Sequence, residues 1–167
     1  MFLMQPAVTS AGPSPDELAT AFAVVDAVYR FGLGQDRRYE EGARELFASA
    51  FTKDATLDFR PAAVKCGIDV PLMEGRDMIV DIIMNPQTRL DTSHVVSNPR
   101  VDLDGDSAEL TVLVEAQHLP TGDHSRHALL KNIYSATVVR DGGLWRMRRV
   151  HIDNLWFTGD PTVITGQ

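Results

Sequence analysis

The sequence has a single cysteine, Cys66, among 167 residues, so it can form no intrachain disulfide and nothing in it asks for an oxidising compartment. No uninterrupted apolar run approaches the ~18 residues that a membrane helix needs. The opening Met1-Phe2-Leu3-Met4-Gln5-Pro6 lacks the basic start and the apolar length of a signal peptide. Basic side chains are also scarce: 16 Lys and Arg stand against 23 Asp and Glu, a net charge of −7, which argues against the basic face of a nucleic-acid module. Gly32-Leu33-Gly34 lacks the rest of a dinucleotide fingerprint, and no Gly-Lys-Ser/Thr phosphate loop is present. His118, His124 and His127 match no metal-ligand spacing. These absences lead us to expect a cytoplasmic globular protein with no membrane or nucleic-acid partner, no metal and no cofactor. Its 44% of apolar residues suffices for one full core.

Residues 1–13 have little periodicity and read as an arm, 14–163 as a single domain, and 164–167 as a tail. Ser14-Pro15-Asp16-Glu17 is a complete helix start: a capping serine, proline at the first helical position and glutamate closing a capping box. Leu18, Phe22, Val25 and Tyr29 then form an amphipathic stripe, and Gly32 and Gly34 should weaken the helix beyond it. The pattern gives a second helix over about 39–51, a short strand over 55–59, an irregular connection over 60–73 and a third helix from Gly75 to Ile83. Four long strands follow, over about 92–103, 107–119, 126–140 and 144–157, separated by turns such as Asp104-Gly105-Asp106 and Asp141-Gly142-Gly143. Helices first and an antiparallel meander second make an α+β class. A sheet curled around its helices would form a cone with a pocket at the open mouth.

Candidate functional residues lie where polar side chains occupy positions that the pattern reserves for apolar ones. Extended one heptad past Tyr29, the helix stripe lands on Asp36, which either faces the space beneath the helix or caps the next helix. His118 ends the inward apolar row Ala108, Leu110, Val112, Val114, Ala116. His94 lies in the strand segment Thr92-Ser93-His94-Val95-Val96, and Asn132 falls mid-strand between Leu130 and Tyr134. Trp156 and Phe157 either close the core or line a mouth, and Phe22 and Val25 share the stripe of Tyr29.

Several segments together resemble the SnoaL-like branch of the nuclear transport factor 2-like superfamily. They are Tyr29 through Asp36 with Ala43-Arg44-Glu45-Leu46-Phe47, Phe51 to Asp58, Gly75-Arg76-Asp77, Thr92 to Asn98, Asp141 to Met147, and Trp156 with Gly159-Asp160-Pro161. The resemblance implies a cone-shaped curved sheet around N-terminal helices, and a homodimer or homotrimer. Asp36 and His94 are similar to the aspartate–histidine dyad of the scytalone dehydratases and hexachlorocyclohexane dehydrochlorinases. That similarity implies a cofactor-independent lyase or isomerase acting on a small, largely apolar cyclic or oxygenated substrate. In that reading His94 is the base, Asp36 orients it, Tyr29 donates a hydrogen bond, and His118 and Asn132 position the substrate. Phe22, Val25 and Trp156 would help to line the pocket. Asp58 sits near where ketosteroid isomerases place their base. The alternative is a non-catalytic small-molecule binder or oligomeric scaffold of the same fold.

Overall fold

The structure, a computed structural model, describes residues 11–166, so most of the expected arm and the last residue of the expected tail lie outside the described residues. Helix α1 (Pro15–Asp36) starts as its sequence dictates: the Ser14 hydroxyl accepts from the Glu17 amide and the Glu17 carboxylate accepts from the Ser14 amide. It does not weaken at Gly32 and Gly34 but runs through both. Both glycines mark close approaches. A Cβ on Gly34 would lie 2.5 Å from Phe47 Cβ, and one on Gly32 would lie 2.9 Å from His94 Cβ.

Helix α2 (Ala43–Ala48) is shorter than expected, because Gly42 enters it in a left-handed conformation (φ 80°) after a run of turns. Then come β1 (Phe51–Asp58), α3 (Arg60–Cys66), β2 (Met73–Glu74) and α4 (Arg76–Ile83). The supposedly irregular stretch 60–73 thus holds a helix, with Pro61 in its first turn. The four long strands are β3 (Leu90–Asp104), β4 (Ser107–Pro120), β5 (Ala128–Asp141) and β6 (Leu144–Gly159). A 3₁₀ turn, Pro161–Thr165, ends the fold with Val163 buried and runs two residues into the expected tail.

The six strands form one sheet in the order β2-β1-β6-β5-β4-β3, antiparallel throughout except for β1 beside β6. It is curved and unclosed, and its inner face wraps the helices. Besides a shift between Phe51 and Thr56 where β1 meets β6, three register shifts each insert one extra residue on one strand, a device that bends strands and sharpens twist. They fall at Asn98-Pro99 on β3, where Asn98 has φ 51°, and at Arg148 and Leu155 on β6.

Period two governs what faces inward. On β4 the row Ala108, Leu110, Val112, Val114, Ala116 and His118 is buried, and on β5 Ala128, Leu130, Asn132, Tyr134 and Ala136 are. Val24, Val28, Phe31, Phe47 and Phe51 fill the space between α1, α2 and the sheet, with Phe31 against Phe47 at 5.3 Å between ring centroids. No described helix is long and apolar enough to cross a membrane.

Gly34→Ala should destabilise the protein by roughly 1–3 kcal/mol, because the added methyl meets Phe47 backbone atoms at 2.8 Å and these cannot simply rotate away. A urea midpoint unchanged from wild type would show that the α1–α2 contact has slack.

Candidate active site

Helix α1 runs antiparallel along the edge strand β3, and the stripe read from the sequence is the face it turns toward that strand. Its face up to Tyr29, with Phe22 and Val25, lies opposite Pro99–Leu103. One to two turns further on, Gly32 meets His94, and Asp36 meets Thr92 and His94. Asp36 is the last residue of α1 and does not cap α2, whose N-cap is Gly42.

The Asp36 carboxylate accepts three hydrogen bonds from β3. They come from Thr92 Oγ1 (2.9 Å), the His94 backbone amide (2.9 Å) and His94 Nδ1 (2.6 Å). Burial pushes the Asp36 carboxyl up, but the hydrogen bonds and charge of His94, with the Thr92 bond, outweigh it and hold the group below the usual carboxylate range. The His94 side chain is only 3% exposed, and with Nδ1 committed to Asp36 its Nε2 has no partner among the described residues.

His94 lines a cavity of about 320 Å³ between α1, α4, the inner face of the sheet and the 3₁₀ turn. The deep walls are apolar and include Phe31, Leu57, Met73, Leu130 and Ile152. Asp69, Pro71, Ile82 and Thr165 are exposed and form its rim. Into this space β4 and β5 carry three polar side chains: His118, Asn132 and Tyr134. The His118 ring sits edge-on to His94, 5.9 Å between centroids, and its Nδ1 is buried without a hydrogen-bond partner. Burial, reinforced by the nearby charge of His94, pushes the His118 imidazole down to about 3, so it is neutral at physiological pH.

Asn132 is fixed from behind, because Asn154 Nδ2 donates to its Oδ1 at 2.9 Å. That leaves the Asn132 amide group as a donor. Burial holds the Tyr134 phenol above its ordinary value, so it stays protonated. Arg38 adds the cavity's one arginine, with Nε bonded to Gln35 O (3.3 Å), one terminal nitrogen to Thr88 O (3.1 Å) and the other to Ile83 O (3.4 Å).

Of the residues singled out from sequence, the structure brings Asp36, His94, His118 and Asn132 together and leaves the others outside. Tyr29 is seven residues before Asp36, about 10 Å along the helix. It lies with Val25 and the 65%-exposed Phe22 in the open groove over Pro99–Leu103. Asp58 alternates with the inward Leu57 and therefore faces out, where Arg60 Nε holds it at 2.8 Å and keeps its carboxyl below the ordinary value. Trp156 would share the inward side of Asn154 by period two, but the extra residue Leu155 reverses the phase and leaves it 49% exposed. Phe157 packs on the small cluster under the 3₁₀ turn. Tyr134 and Arg38 escaped the sequence reading. Tyr134 follows Asn132 by two on an alternating strand, a signal that was there to use. Arg38 follows the end of α1, where no periodicity speaks.

A curved, unclosed sheet wrapped on helices around an apolar cavity is the architecture of the nuclear transport factor 2-like cone class. The chain belongs to the SnoaL-like family, whose domain model matches residues 16–151. It is 29% identical over 148 residues to the terrestric acid biosynthesis cluster protein E of Penicillium crustosum, covering 84% of this chain and 86% of that one. Among solved structures, it is similar to a proposed scytalone dehydratase of Novosphingobium aromaticivorans (TM-score 0.71, 22% identity, 85% of this chain and 88% of that one). It is also similar to a hexachlorocyclohexane dehydrochlorinase of Novosphingobium barchaimii (TM-score 0.67, 20% identity, 86% and 92%). At these identities the structural likenesses establish the fold.

The neutral, buried His118 has a consequence for stability. An unfolded imidazole takes up a proton near its ordinary 6.5, the folded one only near about 3, so between these values the unfolded state binds more protons. The stability it contributes is whole above pH 6.5 and is lost as pH falls toward 3, at up to about 1.4 kcal/mol per pH unit. Urea denaturation at pH 7 and pH 5 should show wild type losing roughly 2 kcal/mol more than His118→Gln. Equal losses would mean that the folded site accommodates the imidazolium freely.

Proposed function

We propose that the protein is a cofactor-independent lyase or isomerase in which His94 moves a proton to and from carbon. The observation that carries this reading is the 2.6 Å bond between Asp36 and His94 Nδ1 in a ring that faces the cavity. A carboxylate on Nδ1 fixes the tautomer with its proton there and leaves the Nε2 lone pair free; it also stabilises the imidazolium once Nε2 is protonated. In an elimination, Nε2 takes the proton from a substrate carbon and the C–H electron pair becomes the new double bond. The leaving group departs from the adjacent carbon with its own bonding pair, and the imidazolium can return the proton to a departing oxygen. In an isomerisation the same proton is returned to a different carbon. The Asn132 amide and the Tyr134 hydroxyl would donate to a substrate carbonyl or hydroxyl, where a fixed donor in an apolar site counts for more than it does in water. The neutral His118 adds a polar contact without a competing positive charge. A small, largely apolar cyclic or oxygenated substrate suits a cavity of about 320 Å³ with these walls. The structural neighbours, a proposed scytalone dehydratase and a hexachlorocyclohexane dehydrochlorinase, accord with this class of reaction, and the Penicillium relative is a biosynthesis-cluster protein.

Turnover assayed on a panel of cyclic alcohols, enones and polyketide-like compounds should fall ~10²–10⁴-fold in kcat/KM for His94→Ala, the range for loss of a general base. Asp36→Asn should fall by at least about 10²-fold, with folding of both variants checked by circular dichroism. Equal turnover by wild type and His94→Ala would remove His94 as the base. Binding without turnover by wild type would favour a small-molecule-binding or scaffold role instead.

A further inference from the structure

Arg38 places a positive charge at the cavity that no carboxylate contacts directly; Asp36 and Asp91 act on it only through their charge. Its guanidinium is partly buried among Gln35, Ile83 and Thr88, each of which lines the same cavity, and its three hydrogen bonds all go to backbone carbonyls. Every nearby acid is otherwise engaged or solvated. Asp36 is held by Thr92 and His94, Asp91 accepts from Thr121 and pairs with His124, and Asp69 stands exposed on the rim. Among the described residues Arg38 forms no ion pair.

A guanidinium has five N–H donors, and three are used; one remains on each terminal nitrogen. Each remaining donor can give a charge-assisted hydrogen bond to a carboxylate oxygen. A partly desolvated cation with no carboxylate in contact is costly, and an anionic ligand relieves that cost where a neutral one does not. His118 does not compete for the anion, since its ring is neutral. His94 is already paired with Asp36.

The geometry points to a substrate with an apolar ring body and one carboxylate, the carboxylate bound by Arg38 and the ring lying against Phe31 and Leu130. This rests on the cavity being the substrate site, but not on His94 acting as a base. It distinguishes the expected ligand from an uncharged cyclic alcohol or a haloalkane, neither of which offers anything to the guanidinium.

The test compares binding of 2-naphthoic acid with that of 2-naphthamide, by calorimetry, to wild-type protein at pH 7. The acid should bind at least about tenfold more tightly, and the preference should disappear as the ligand is protonated near pH 4. In Arg38→Met the two affinities should come within about twofold of one another, whereas Arg38→Lys should retain part of the preference. The readout is binding and not turnover, so failure of the catalytic reading and failure of this one give different results. Equal binding of acid and amide by wild type, absence of measurable acid binding at millimolar concentration, or an undiminished preference in folded Arg38→Met would each overturn the proposal. The wild-type arm stands even where a variant fails to fold.

Discussion

The Asp36 carboxylate holds the edge strand to the end of the first helix, and the arrangement of the site depends on that connection. Three donors of β3 converge on it, two of them from His94 itself, so the backbone and the ring of one residue are fixed by one anion. Hydrogen bonds to a charged acceptor contribute about 1.5–3 kcal/mol each. The connection is possible only because Gly32 has no Cβ where His94 packs and Gly34 has none where α2 crosses. Two glycines that look like helix breakers in the sequence are the surfaces on which the helix meets its neighbours.

The rest of the cavity follows from sheet geometry. Strict alternation on β4 and β5 delivers His118, Asn132 and Tyr134 to one side of the sheet, and the curvature from the register shifts brings that side around the end of α1. Polar groups are thereby set into an apolar wall with few protein partners. His118 Nδ1 has none at all, and Asn132 has its orientation imposed by Asn154. A fold pursuing stability alone would fill these positions with aliphatic side chains, as it does at Val112, Val114 and Ala136 along the same strands.

Most of the fold was legible in the sequence because its signals are local: a capping box, period-two strands and hairpin glycines. The second helix was overextended because Tyr39, Glu40 and Glu41 are helix-compatible, yet Gly42 adopts a left-handed conformation and the Tyr39 hydroxyl bonds to the Leu90 carbonyl. Helix α3 was missed because its seven residues are too few to display a period. Asp36 was legible because extending a stripe by one heptad holds for a straight helix. Assigning Tyr29 to the same site failed for the same geometric reason, since residues on one stripe share a face but are spread along its length. Trp156 shows the limit of alternation, where a single inserted residue reverses inside and outside. Arg38 lies past the helix end, where its surroundings are set by tertiary contacts with α4 and the following loop.

The central claim is that Asp36 holds His94 in one tautomer, with the proton on Nδ1 and the Nε2 lone pair presented to the cavity. Nitrogen-15 NMR of histidine-labelled protein, with the His94 signals assigned through His94→Gln, reads this directly and needs no substrate. The account predicts that wherever the His94 ring carries a single proton it sits on Nδ1 with Nε2 bare, and that this pattern is lost in Asp36→Asn. A ring protonated on Nε2 alone, or an averaged pair of signals typical of an imidazole free in water, would contradict it.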